Sequence, residues 1–222
     1  MAVLIIIGFF IVAAGIIALS LHQQHLRSQF WEELTREWNG TLYRTDRFRL
    51  SHEEEYPLFQ QGHSRKVEYL LETELEGHQL LFFDYEYRTG SGKHRSTHSL
   101  TCMMIETPVY GLSLTLRSEN FFDRVVAFVG FDDINFELEE FNRSFRVLCP
   151  DKKFAYDVFH TQMMELFLEY RGGLVMEWCG FKVLFYLTPE RHFSKLDMVW
   201  LKKFASEFVR RLPAYLIEEQ RG

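Results

Sequence analysis

Hydrophobic positions run unbroken at the start of the chain and become periodic afterwards. Ala2 to Leu21 (AVLIIIGFFIVAAGIIALSL) contains no charged residue, and thirteen of its twenty positions are Val, Leu, Ile or Phe. At ~1.5 Å per residue such a run reaches roughly 30 Å, the hydrocarbon thickness of a bilayer. Taking about −0.3 to −0.6 kcal/mol for each large apolar residue, insertion gains roughly 4 to 8 kcal/mol. Residues 1–21 therefore read as a transmembrane helix. A cleaved signal peptide competes through the small residues of Ala18-Leu19-Ser20, but no Lys or Arg precedes the run and it exceeds the usual length of a signal-peptide apolar core. Leu26, Phe30, Trp31, Leu34 and Trp38 then recur at helical spacing opposite Glu32, Glu33, Arg36 and Glu37, which predicts an amphipathic juxtamembrane helix over 22–40, stopped by Asn39-Gly40.

The remaining residues, 41–222, read as a single α+β domain. Strand patterns occupy Thr41 to Leu50, Lys66 to Leu75 and His78 to Arg88, with Glu76-Gly77 as a tight turn, then Thr97 to Glu106, Leu112 to Leu116 and Phe145 to Cys149. Phe121 to Val129 reads as a short helix. Two longer helices follow. One runs from an N-cap at Asp151 through Phe154, Val158, Phe159, Met163, Leu166, Phe167 and Tyr170; the other is capped by Ser194 and Asp197 and carries Leu196, Val199, Trp200, Phe204, Phe208 and Leu212. Between them Leu174 to Trp178 and Phe181 to Leu187 read as a hairpin about Cys179-Gly180. No βαβ alternation occurs, so the fold class is α+β: an N-terminal transmembrane helix, then a mainly antiparallel sheet packed with two long C-terminal helices.

Charge narrows the function. A net charge of −6 excludes a nucleic-acid partner, which requires a basic surface to release phosphate counterions. Cys102, Cys149 and Cys179 show no paired spacing and read as reduced thiols, and Arg27 and Arg36 follow the apolar run while no cation precedes it. Both features place the C-terminal domain on the cytoplasmic side of a bacterial inner membrane, crossed once.

Chemistry is sparse. TGSGK at 89–93 lacks the upstream glycine of a phosphate loop, because Tyr87 stands there, and it joins two strands, so its glycines serve a turn. Asp84 and Glu86 share one side of a strand and are the candidate acid and base; alternation in the same strand instead turns Asp84, Glu86 and Arg88 to solvent against Phe83, Tyr85 and Tyr87. Asp132 and Asp133 in GFDDINF are candidate metal ligands against a reading as turn residues. His94 and His98, four apart on an extended segment, stand roughly 13 Å apart and cannot share an ion. Neither His22 nor His25 has a third ligand near it in sequence. No cofactor motif is present.

Tyr56-Pro57-Leu58-Phe59 with Gly62, then LLFFDYEYRTGSGKHRSTHS, LTLRSENFFD, GFDDINFE and VMEWCGFKVLFY resemble an uncharacterised family of bacterial membrane-anchored proteins with an α+β domain. The resemblance implies a single tethered domain and carries over no activity. The reading that follows is a membrane-tethered binding or scaffold domain, held to the lipid bilayer by residues 2–21 and recognising a protein partner or itself. One alternative is an enzyme acting on a lipid or envelope precursor through acidic residues. Another is a peripheral lipid-binding module using the aromatic helix.

Overall fold

In the computed structural model the described residues are 2–118, 133–170 and 173–219, with backbone alone for 2–6 and 9. The first element is a single helix, α1 (Ala2–Glu37), 36 residues long and therefore ~54 Å from end to end. Its two halves meet different surroundings. Ile11, Val12, Ile16, Ile17, Leu19 and Leu21 are exposed, whereas Trp31 and Leu34 are buried and Phe30 and Trp38 pack beside them. The face predicted for the amphipathic segment thus holds from Phe30 onward; Leu26 is exposed. Among the described residues no helix is long and apolar enough to cross a membrane, so the transmembrane helix expected over residues 1–21 gains no support from the structure.

The sheet contains β1 (Thr41–Tyr43), β2 (His63–Leu75), β3 (His78–Thr89), β4 (Ser96–Ser118), β5 (Phe145–Leu148) and β6 (Leu174–Leu187), every pair antiparallel. The hairpin at Glu76-Gly77 forms as predicted, with Leu75 opposite His78. The strand expected from Thr41 to Leu50 stops at Tyr43, and a 3-10 turn occupies Leu50–His52 before the short helix α2 (Pro57–Gln60).

Two further expectations are corrected by the 23-residue strand β4. It replaces the separate strands Thr97–Glu106 and Leu112–Leu116, since its register shifts between Glu106 and Leu114 bend it without breaking it. Leu174–Leu187 is likewise one strand and not a hairpin, because it runs antiparallel along β4 and Gly180, at φ 59°, turns it opposite Gly111. Trp178 explains why position 111 has no side chain: a Cβ there would lie 2.1 Å from the indole.

The long helix expected after Asp151 is two helices, α4 (Lys152–Val158) and α5 (Thr161–Glu169), with His160 capping the second. Preceded by α3 (Glu139–Ser144) and followed by α6 (Lys195–Arg210) and α7 (Ala214–Glu219), they leave α6 as the single long C-terminal helix. The proposed helix at Phe121–Val129 lies outside the described residues.

Both faces of the sheet are buried. Leu80, Phe82, Met103, Ile105, Phe185 and Leu187 lie under the helices with Trp31 and Leu34 of α1. Leu81, Phe83, Tyr85, Tyr87, Leu100 and Cys102 lie beneath Leu50, Tyr56, Leu58 and Phe59. A sheet covered on both sides presents near-continuous apolar runs, which is why LLFF at 80–83 shows no alternation.

A candidate polar cleft at the root of the N-terminal helix

Strand register builds the site. Asp84 lies opposite Thr101 and Glu86 opposite Ser99, so two carboxylates and two hydroxyls share one face where α1 passes across it. Asp84 does not point to solvent as the alternation suggested: its side chain is 8% exposed. The reversal has a local cause. From Leu80 to Asp84 both faces of β3 are covered, and α1 delivers a cation to that point.

Asp84 is surrounded by donors. Arg27 donates from Nε to Oδ2 at 2.8 Å and from Nη2 to Oδ1 at 2.5 Å, a two-pronged contact, and Trp31 donates its indole N–H to Oδ2 at 3.0 Å. Thr101 donates its hydroxyl to Oδ1 at 2.7 Å, and His192 Nδ1 lies 3.1 Å from the same oxygen. Burial pushes the Asp84 carboxyl up, but the hydrogen bonds from Arg27 and His192 and the Arg27 charge outweigh it and bring the group to about 2. It is an ionised acceptor at any physiological pH and not a proton donor.

His192 is held from both sides. The Thr101 amide donates to the Arg191 carbonyl at 3.1 Å, and the Phe193 amide donates to Thr101 Oγ1 at 3.1 Å, so its two neighbours in sequence are tied to β4. Arg191 grips Asp197 with both nitrogens at 2.7 and 2.8 Å, and Ser194 and Asp197 close a capping box on α6, fixing the far end of the loop. The Arg191 contact is also the main cause that holds the Asp197 carboxyl well below the usual carboxylate range. On the other side, Glu190 receives His98 Nδ1 at 2.8 Å and the Tyr87 hydroxyl. The imidazole is 42% exposed, and its second nitrogen, Nε2, lies 3.1 Å from Ser99 Oγ.

These groups border a cleft of about 560 Å³ whose walls include Gln23, Gln24 and Arg27 of α1, Lys66 and Tyr69 of β2, and Ser99 and His192. Its charges are largely paired within the protein: Arg27 with Asp84, Lys66 with Glu68, Arg88 with Glu86. Glu86, the second predicted carboxylate, lines the cleft half-buried and holds Arg88 at 3.3 Å. Asp84 and Glu86 therefore share a cleft without acting as a proton-sharing pair.

The remaining sequence candidates go elsewhere. Asp133 pairs with Arg146, and Asp132 lies outside the described residues. Among the described residues no group of three His, Cys, Asp or Glu side chains is placed to hold a metal ion. His98 is taken up by Glu190 and by Thr89, whose Oγ1 lies 3.0 Å from Nε2. Sequence reasoning missed Ser99, Thr101 and His192 and used Arg27 only as a topology cue. Among the described residues one other charge pair is deeply buried: Glu177 accepts from Arg117 at 3.1 Å, the Tyr186 hydroxyl at 2.8 Å and the Leu58 amide at 2.9 Å, under the opposite face of the sheet.

No protein-family model matches the chain, and no curated protein does. Among solved structures, the crystal structure of the mycobacterial trehalose monomycolate transport factor A, TtfA, superposes with a TM-score of 0.57 at 9% identity, covering 82% of this chain and 94% of that one. The chain is similar to TtfA in fold. At that identity the likeness speaks to architecture alone.

Proposed function

We propose that the chain is a membrane-tethered binding domain whose cleft receives the headgroup of an amphiphile. One observation carries the reading: the apolar stretch of α1 ends at Leu21, and Gln23, Gln24 and Arg27 on the same helix line the cleft. Six residues of helix advance ~9 Å. A leaflet's headgroup layer is roughly 5 to 8 Å deep beyond the hydrocarbon. With the apolar run at residues 2–21 embedded in the bilayer, the cleft opens at headgroup level. Exposure of Ile11, Val12, Ile16 and Ile17 supports the tether, because side chains of this size stand unburied in water at a cost.

The domain faces the cytoplasm of a bacterium in this reading. Its three cysteines are free, and Arg27 and Arg36 follow the span. The peripheral module using the aromatic helix is disfavoured, since Trp31 and Leu34 are already buried against the sheet. Membrane retention tests the tether. Full-length protein stays in the pellet after alkaline carbonate extraction, whereas Ile11→Lys/Ile16→Lys, which adds roughly 6 to 8 kcal/mol to insertion, releases it. Retention of the double variant refutes the tether.

A further inference from the structure

The geometry points to an ester-cleaving centre in the cleft: we propose that Ser99 is its nucleophile, His192 its general base and Asp84 the residue that orients the base. The substrate is the acyl ester of an amphiphile, and that class rests on the headgroup reading above. The chain of contacts is continuous, with Ser99 Oγ 3.1 Å from His192 Nε2 and His192 Nδ1 3.1 Å from Asp84 Oδ1. These are the separations at which a nucleophile, its base and an orienting group act together.

The hydrogen-bond network fixes the tautomer. Asp84 is a pure acceptor, so the ring nitrogen facing it carries the proton, and Nε2 is left to accept from the Ser99 hydroxyl. Placement along the cleft is also appropriate. Ser99 is exposed while Asp84 is buried beneath it. The imidazole between them is held by the Thr101 contacts to residues 191 and 193. Gln23 and Gln24 line the same cleft and carry side-chain N–H donors of the kind that stabilise the oxygen that becomes negative during acyl transfer.

The reaction balances without a redox partner. Ser99 Oγ bonds to the ester carbonyl carbon as its proton passes to Nε2. The carbon–oxygen bond to the alcohol then breaks, and that alcohol leaves with the proton from Nε2. Water attacks the acyl-serine, giving its proton to Nε2; the bond to Oγ breaks, Ser99 recovers the proton, and a carboxylic acid is released.

A fluorophosphonate probe tests the centre directly on full-length protein in detergent micelles, with the adduct located by peptide mass spectrometry. The expected result is an adduct on Ser99, absent from Ser99→Ala and formed at least ~100-fold more slowly in His192→Ala, the scale of a lost general base. Far-UV circular dichroism superposing on the wild type shows that each variant is folded. His192→Gln, which keeps a polar side chain of similar reach, is a second check and is also slow. Labelling of Ser99 no faster than of the exposed Ser96, or labelling unchanged in both His192 variants, overturns the proposal. Hydrolysis of p-nitrophenyl esters then tests the substrate class separately. Faster turnover of octanoate than acetate supports an amphiphile, whereas equal turnover with Ser99 labelled removes the amphiphile and leaves the nucleophile standing.

Discussion

Arg27→Ala isolates the contact that ties the N-terminal helix to the sheet. The substitution removes both guanidinium donors at 2.8 and 2.5 Å and leaves the Asp84 carboxylate, 8% exposed, with Trp31, Thr101 and His192. Breaking a buried pair from one side costs about 3 to 5 kcal/mol, and the three surviving donors place this case near ~3 kcal/mol. Proton linkage gives a figure of the same order. With Asp84 at about 2 against an ordinary 3.8, the folded state gains roughly 2 to 3 kcal/mol from its ionised form. Because the group is lowered on folding, that stability is fully present above about pH 4 and is lost as pH falls toward 2. Urea unfolding of full-length protein in micelles, followed by tryptophan fluorescence, reads both quantities. The expected result is a loss of about 3 kcal/mol at pH 7 and a gap between variant and wild type that narrows at pH 3. A loss under about 1 kcal/mol, or a gap that does not change with pH, refutes the reasoning.

Other positions test the framework around the cleft. Gly111→Ala places a Cβ 2.1 Å from Trp178 and should destabilise by at least ~2 kcal/mol, in the upper part of the ~1 to 3 kcal/mol range for overpacking, in the same urea assay. Ser194→Ala removes one side of the α6 capping box and should cost about 1 kcal/mol while loosening the 190–193 loop, seen as faster amide exchange there. Arg117→Ala strands the buried Glu177 and should cost about 3 to 5 kcal/mol. Thiol labelling at pH 8 should be slow: burial and the Glu55 hydrogen bond push Cys179 up to about 11 against an ordinary 9, a thiolate fraction about 100-fold smaller. Labelling at the rate of the urea-unfolded chain contradicts that environment.

Much of the architecture was legible because it is local. The hairpin at Glu76-Gly77, the capping box at Ser194 and Asp197, and the packed face from Phe30 to Trp38 each depend on residues a few positions apart. What could not be read depends on long strands meeting. The LVMEWCGFKVLFY segment has a hairpin's composition, yet it is one strand because β4 runs beside its whole length. Asp84 was identifiable as a candidate, but its environment was not. Arg27 lies 57 residues before it and His192 108 after it, and no pattern within β3 announces either. Ser99 and Thr101 enter only through register, opposite Glu86 and Asp84. The alternation rule failed at Asp84 since it presumes one wet face, whereas here a helix covers the sheet where the carboxylate sits.

The proposal that the cleft lies at a membrane surface is tested most directly by a photoreactive benzoylphenylalanine at Gln24, with a second variant carrying it at Phe181, which is exposed and lies outside the cleft. Irradiated in native bacterial membranes and analysed by intact mass, the Gln24 variant should acquire lipid-sized adducts and the Phe181 variant none. Lipid adducts at neither position, or at Phe181 alone, would contradict a cleft that opens among lipid headgroups.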